Sequence, residues 1–262
     1  MWNIIKSQNY QIKGDTSVIV GFIVCLCLPI LAQISNESGM DDFTGSVFMI
    51  NDITFIPMIF FLFSLFVVTK ACGWDMNDKT MNYELLSGHS RAEVYFGRVV
   101  TALAWGIIGG IVVTLGPILV VTAVNGWGDN LVFRDAMFRY FLILVVYLRW
   151  ISELILLTFI VRNYLASAFL GLGMFEAGMI CGFLVKEFFN LNSIDNLFAG
   201  IDMLLLGEFG NSRNVIINGK SVQLFEATVS NATRNNTILV SLIVSIVCII
   251  SGYVVFRKRD LS

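Results

Sequence analysis

The sequence predicts an all-α integral membrane protein, and three observations carry that prediction. Of its 262 residues, 56% are hydrophobic and only 14% are charged, whereas about a quarter of a typical soluble domain is charged. The mean hydropathy is +0.78. Six apolar windows, at 18–34, 53–69, 99–124, 138–161, 165–185 and 238–256, are close to the ~20 residues that cross a ~30 Å bilayer core as a helix. Outside them no segment exceeds about 50 residues, too short for a second domain with a substantial core, so 1–262 reads as a single transmembrane domain. With 17 basic and 19 acidic residues the net charge is −2, which gives nucleic acid no electrostatic footing. Cys25, Cys27, Cys72, Cys181 and Cys248 all sit in or beside apolar stretches, which argues against a disulfide framework or a thiolate metal cluster.

Taken in order, residues 1–16 form the first element. Trp2, Ile5, Asn9 and Ile12 recur at helical spacing, with Lys6 and Lys13 on other faces, as in a helix lying in the membrane interface. The window at 18–34 follows two lysines like a secretory leader, but no small-residue cleavage site follows, so it is read as an uncleaved span. The loop after it carries Glu37, Asp41, Asp42 and Asp52 and no Lys or Arg. On the side of the termini lie ten basic residues: Lys6, Lys13, Lys70, Lys79, Arg91, Arg98, Arg162, Arg257, Lys258 and Arg259. The other side has Arg134, Arg139, Lys186, Arg213, Lys220 and Arg234, mostly in a long loop, so both termini are expected in the cytoplasm of a multi-pass cell-membrane protein.

Residues 186–236 are the one large polar excursion, expected as an ordered extracellular cap. Leu197, Ile201, Leu204 and Leu205 have amphipathic spacing, and 215–222 reads as a hairpin turning on Asn218-Gly219. The triplets beginning at Asn36, Asn231 and Asn235 match the glycosylation sequon, a pattern that chance supplies often in an Asn-rich chain.

The cytoplasmic loop at 73–93 is the most informative polar stretch. Met76, Thr80, Tyr83 and Leu86 or Leu85 share one face of a short helix, and Gly88 stands where a helix stop favours a residue free to take positive φ. Ser90 and Glu93 then have capping-box spacing and start the helix that enters the third span. This order of six spans, the amphipathic start, the Glu84-Leu85-Leu86-Ser87 loop leading to Ser90-Arg91, the outer insertion and the tail Phe256-Arg257-Lys258-Arg259-Asp260-Leu261 resemble the membrane subunits of ATP-binding-cassette type-2 exporters, over essentially the whole chain. Gly88-His89 departs from the proline or small apolar residue that many relatives carry there.

The resemblance implies a permease. Its short cytoplasmic helix would be a coupling helix seated on a separate ATPase, with Asp75, Asp78, Lys79, Tyr83, Glu84, Leu85, Leu86, His89, Ser90 and Arg91 as the coupling residues. The chain lacks the Gly-x-x-x-x-Gly-Lys-Ser/Thr phosphate cradle, so ATP and Mg²⁺ would be bound by two copies of the partner ATPase, with no cofactor in this chain. It also implies a homodimer, and small-residue pairs at Gly106 and Gly110, and at Gly171, Gly178 and Gly182, suit close helix approach, whether between subunits or within one. The family's use of its first and fifth spans at the seam favours the second set.

Three charged residues fall within spans. Arg149 and Glu153 are one turn apart and can pair, whereas Glu176 has no partner four residues away. They either line a polar pathway or clamp helices. The same residues support a different class, a proton-coupled secondary transporter carrying its proton on Glu153 or Glu176, although neither span shows the Gly or Pro break common at such sites. An intramembrane hydrolase, a His-pair zinc site and bis-histidine haem all founder on the single histidine, His89, which sits in a loop; no catalytic residue and no metal ligand is assigned. Cargoes among similar exporters include amphipathic peptides, as in phenol-soluble modulin exporters and lantibiotic immunity pumps, as well as drugs and lipid-linked glycans; the 22 phenylalanines favour the first.

Overall fold

A computed structural model describes residues 1–36, 44–52, 55–77, 81–189, 212–217, 220–225 and 229–258. Its helices are α1 (Trp2–Gly14), α2 (Thr16–Asn36), α3 (Gly45–Asp52), α4 (Phe55–Asn77), α5 (Met81–Leu86), α6 (Arg91–Asn125), α7 (Phe133–Val161), α8 (Tyr164–Phe189) and α9 (Asn231–Lys258). One antiparallel hairpin, β1 (Ser212–Ile217) with β2 (Lys220–Phe225), completes the described elements. Among the described residues, four helices, α6, α7, α8 and α9, are long and apolar enough to cross a membrane, and α1 with α2 makes a fifth if the pair, bent by 66°, counts as one span. The chain is therefore mostly helical, with the apolar lengths of a membrane protein. The described residues of all six apolar windows fall on helices, with Met58–Trp74 a shorter apolar helical stretch within α4.

α7 is the axis of the bundle, with α4, α6, α8 and α9 against it. Its side chains Ile143, Val146, Tyr147, Trp150, Ile151, Leu154 and Ile155 are buried almost all round, as befits a helix that meets neighbours rather than lipid. Aromatic rings of α4 fill the space between: Phe60 lies 4.2 Å from Tyr147, and Phe61 lies 4.8 Å from Trp150 and 4.3 Å from Phe175 of α8 (centroid distances). α6 approaches this layer on glycines. A Cβ on Gly109 would come within 2.5 Å of Phe63, one on Gly110 within 2.6 Å of Phe60, and one on Gly106 within 2.8 Å of Ile151. The Gly106–Gly110 pair thus serves packing inside one chain.

α7 ends where Arg162 adopts a left-handed conformation (φ 60) and its N–H closes onto Thr158 O, and α8 begins two residues later. α3, unforeseen in the acidic first loop, buries Phe48 and Met49 and packs on the C-terminal end of α6, where Gly45 N–H donates to Gly126 O. The hairpin has the expected two-residue connection, since Ile217 pairs with Lys220; Asn218 and Gly219 themselves lie outside the described residues, as do Leu197, Ile201, Leu204 and Leu205. Phe225 N–H donates to Asn130 O and ties the hairpin to the loop before α7.

The N-terminal helix is present, but its buried face differs from the expected one. Ile4, Ile5, Gln8 and Ile12 are buried, and Trp2 is exposed. The face shifts because Ile4 closes onto Gly97 of α6 and Asn9 accepts a bond from Trp105 Nε1 at 2.6 Å. At the α1–α2 bend Asp15 pairs with Lys70 near the end of α4 and accepts from Ser17. Burial alone would raise the Asp15 carboxyl, but the bonds from Lys70 and Ser17 outweigh it and hold it at about 2, below the usual 3.8. A depressed carboxyl stabilises the fold above its unfolded pKa, so this contribution is complete above about pH 4 and fades as pH falls towards 2. Lys70→Met is expected to flatten that part of a pH–stability curve measured on purified protein, and an unchanged curve would rule out the tie.

Candidate functional site

The site is built where the chain leaves one apolar helix, stops and restarts. α5 is a helix of six residues ended by a Schellman arrangement: Gly88 N–H donates to Leu85 O at 3.1 Å, and His89 N–H to Glu84 O at 3.4 Å. Gly88 has φ +94, which explains glycine there. Ser90 then caps α6 with both halves of a capping box, its Oγ accepting from Glu93 N–H and Glu93 Oε2 accepting from Ser90 N–H. The Ser90 N–H bond and the nearby amino group of Met1 hold the Glu93 carboxyl down to about 2. Gly88→Ala is expected to cost about 1–2 kcal/mol of local stability, a rise of about 5–30-fold in amide exchange over 83–89; exchange at the wild-type rate would show that the turn tolerates a Cβ.

What fixes α5 to the bundle is a buried cation. Arg98, two turns into α6 and 0% exposed at its side chain, donates from Nη2 to Glu84 Oε2 at 2.9 Å. Its Nη1 lies 3.5 Å from Ala71 O of α4. Met81 is buried and Leu85 packs against the core, while Tyr83 and Leu86 stand 71% and 81% exposed. The short helix therefore has an inner face that grips the bundle and an outer apolar face that the described residues leave uncovered.

The expected coupling residues separate on these contacts. Tyr83 and Leu86 point out. Glu84 turns inward onto Arg98, and Arg91 Nη1 donates to Arg257 O of α9 at 2.8 Å, so both hold the loop in place rather than offering a charged rim. His89 Nδ1 lies 3.8 Å from Glu93 Oε2, and Ser90 is spent on the cap. Asp75 lies at the end of α4, and Asp78 and Lys79 lie outside the described residues. Arg98 was counted only as a basic residue near the membrane face. The signal for its role was available: a lone cation inside an apolar helix needs a carboxylate, and Glu84 is the nearest one across the turn.

Within the bundle Arg149 Nε donates to Glu153 Oε1 at 2.9 Å, the one-turn pair that the spacing predicts. Glu176 is exposed on α8. Of the glycines expected at a dimer seam, Gly171 packs within the chain: a Cβ there would meet Leu154 and Leu65 at 2.7 and 2.8 Å. Gly182 is buried as well, whereas Gly178 faces open space. Among the described residues, no three His, Cys, Asp or Glu side chains gather as a metal site. No protein-family model and no curated protein matches the chain.

Proposed function

We propose that this chain is the permease subunit of an ATP-driven exporter of a bacterial cell membrane, with six spans, both termini cytoplasmic and residues 186–236 as an extracellular cap. The observation that carries the reading is the stop-and-restart unit at 81–93: a short helix held from behind by a buried ion pair, presenting Tyr83 and Leu86 outward. An uncovered apolar pair beside a membrane face is what a partner protein covers, and a soluble ATPase carrying ATP and Mg²⁺ is the partner the sequence resemblance implies. Two permeases and two ATPases make the working unit. Amphipathic peptides are the proposed cargo, with drugs or lipid-linked glycans the alternatives within the same class.

The test is co-purification from the native membrane in mild detergent, with mass spectrometry of bound proteins and an ATPase assay. A stoichiometric ATPase with vanadate-sensitive turnover is expected, and Tyr83→Ala with Leu86→Asp should reduce the bound ATPase at least tenfold, which corresponds to about 1.4 kcal/mol or more of docking energy. A chain that elutes alone overturns the reading. Exposure of the Glu176 carboxyl on α8 favours one alternative, a proton-coupled transporter using Glu176 or Glu153; in that case Glu176→Gln should abolish proton-driven flux.

A further inference from the structure

We propose that Arg98 is the positioning residue that makes α5, α4 and α6 move as one body, so that a push on the short helix reaches the outer ends of the bundle. This rests on the exporter reading for the origin of the push, but the clamp itself is a property of the chain. Two contacts meet on one guanidinium, the Glu84 carboxylate of α5 at 2.9 Å and the Ala71 carbonyl of α4 at 3.5 Å, and the side chain that makes them is anchored in α6. The side chain is fully buried, so pulling Glu84 away would strand a charge out of water. A displacement of α5 is therefore transmitted more readily than it is absorbed.

The neighbours of Ala71 extend the linkage. Lys70 holds Asp15 at the α1–α2 bend, and its ammonium lies 4.5 Å from the centre of the Trp74 ring. Trp74 packs on Tyr164 at 4.9 Å, and Gly73 fits against Thr158 and Tyr164, where α7 gives way to α8. The last turns of α4 thus touch the starts or ends of most other helices, and Arg98 joins α5 to that junction. α6 then runs as one helix from the Ser90 cap to Asn125, under the loop that seats α3, with the one backbone N–H that Pro117 lacks falling just before its last two turns. Tyr83 and Leu86 make the contact; Arg98 decides whether the contact is felt elsewhere.

The experiment is hydrogen–deuterium exchange on the intact complex in lipid nanodiscs, without nucleotide and with ATP plus vanadate. In the wild type, trapping is expected to alter exchange both at 83–89 and at the outer end of α6, 118–126. In Arg98→Gln the response at 83–89 should remain, and the response at 118–126 should fall at least tenfold; Arg98→Lys, which keeps the cation, should restore most of it. A full outer response in Arg98→Gln overturns the proposal. If that variant does not fold, Glu84→Gln, which keeps shape and an acceptor, is read in the same way. If the wild-type chain holds no ATPase, the exporter reading fails and the transmission role falls with it. The clamp is then judged on the chain alone, where Arg98→Gln must speed exchange at 83–89 at least tenfold, and equal rates would overturn the clamp too.

Discussion

Glu153→Ala is expected to destabilise the protein by about 3–5 kcal/mol, because it takes the carboxylate from a buried guanidinium without removing the charge. Arg149 is 3% exposed and Glu153 19% exposed at their side chains, and they meet at 2.9 Å on α7, which packs against α4, α6, α8 and α9. Replacing both, with Arg149→Met and Glu153→Leu, should recover most of the loss, since the apolar pair keeps volume and leaves no charge behind. Unfolding in mixed micelles by SDS titration measures both. The outcome also separates the two transport readings. A loss below about 1 kcal/mol would mean that the pair is as well hydrated as a surface ion pair, and it would move weight towards Glu153 as a proton carrier.

The second large effect concerns glycines that look alike in sequence. Gly109→Ala and Gly110→Ala should each cost about 1–3 kcal/mol, because the added methyl group lands within 2.6 Å of a packed Phe ring, Phe63 against Phe22 of α2 or Phe60 against Tyr147 of α7. Gly178→Ala meets nothing within 4 Å and should leave the unfolding of a single chain unchanged. If two copies associate along α8, a larger residue such as Leu at 178 should shift the cross-linked population from dimer to monomer while the SDS unfolding midpoint stays put. A dimer that persists would place the seam elsewhere. A midpoint that falls would mean that Gly178 packs within the chain.

Apolar windows and capping chemistry were legible in the sequence because both are local. The described residues of each of the six windows lie on a helix, the capping box at Ser90 and Glu93 formed as its spacing requires, Gly88 took the positive φ that its place implied, and Arg149 found Glu153 one turn away. What escaped depends on contacts between segments far apart in the chain. Asn9 meets Trp105 and Asp15 meets Lys70 across 96 and 55 residues, and no periodicity within α1 announces either. Glu84 looked like a surface acid because its partner sits beyond a turn and a cap. Gly171 and Gly178 lie two turns apart on one side of α8, yet the first packs on Leu154 and Leu65 and the second meets nothing within 4 Å, since how far along a helix its neighbours reach is not written in its spacing. α3 was hidden by its short length and by an acidic loop that reads as polar.

The two-residue link between α7 and α8 bears on how the protein is made. Arg162 in a left-handed conformation followed by Asn163 leaves no slack, so α7 and α8 are bound to leave the insertion machinery as a helical hairpin. α8 carries Glu176, and an acidic residue near the middle of a lone span adds about 2.5–3.5 kcal/mol to its partitioning into lipid. Entering alongside the strongly apolar α7, it is carried in by its partner. Lengthening the link with a flexible Gly-Ser segment would uncouple the two insertions, and the first defect to appear would be in biogenesis: α8 left on the wrong side of the membrane while the rest of the chain is still correctly threaded.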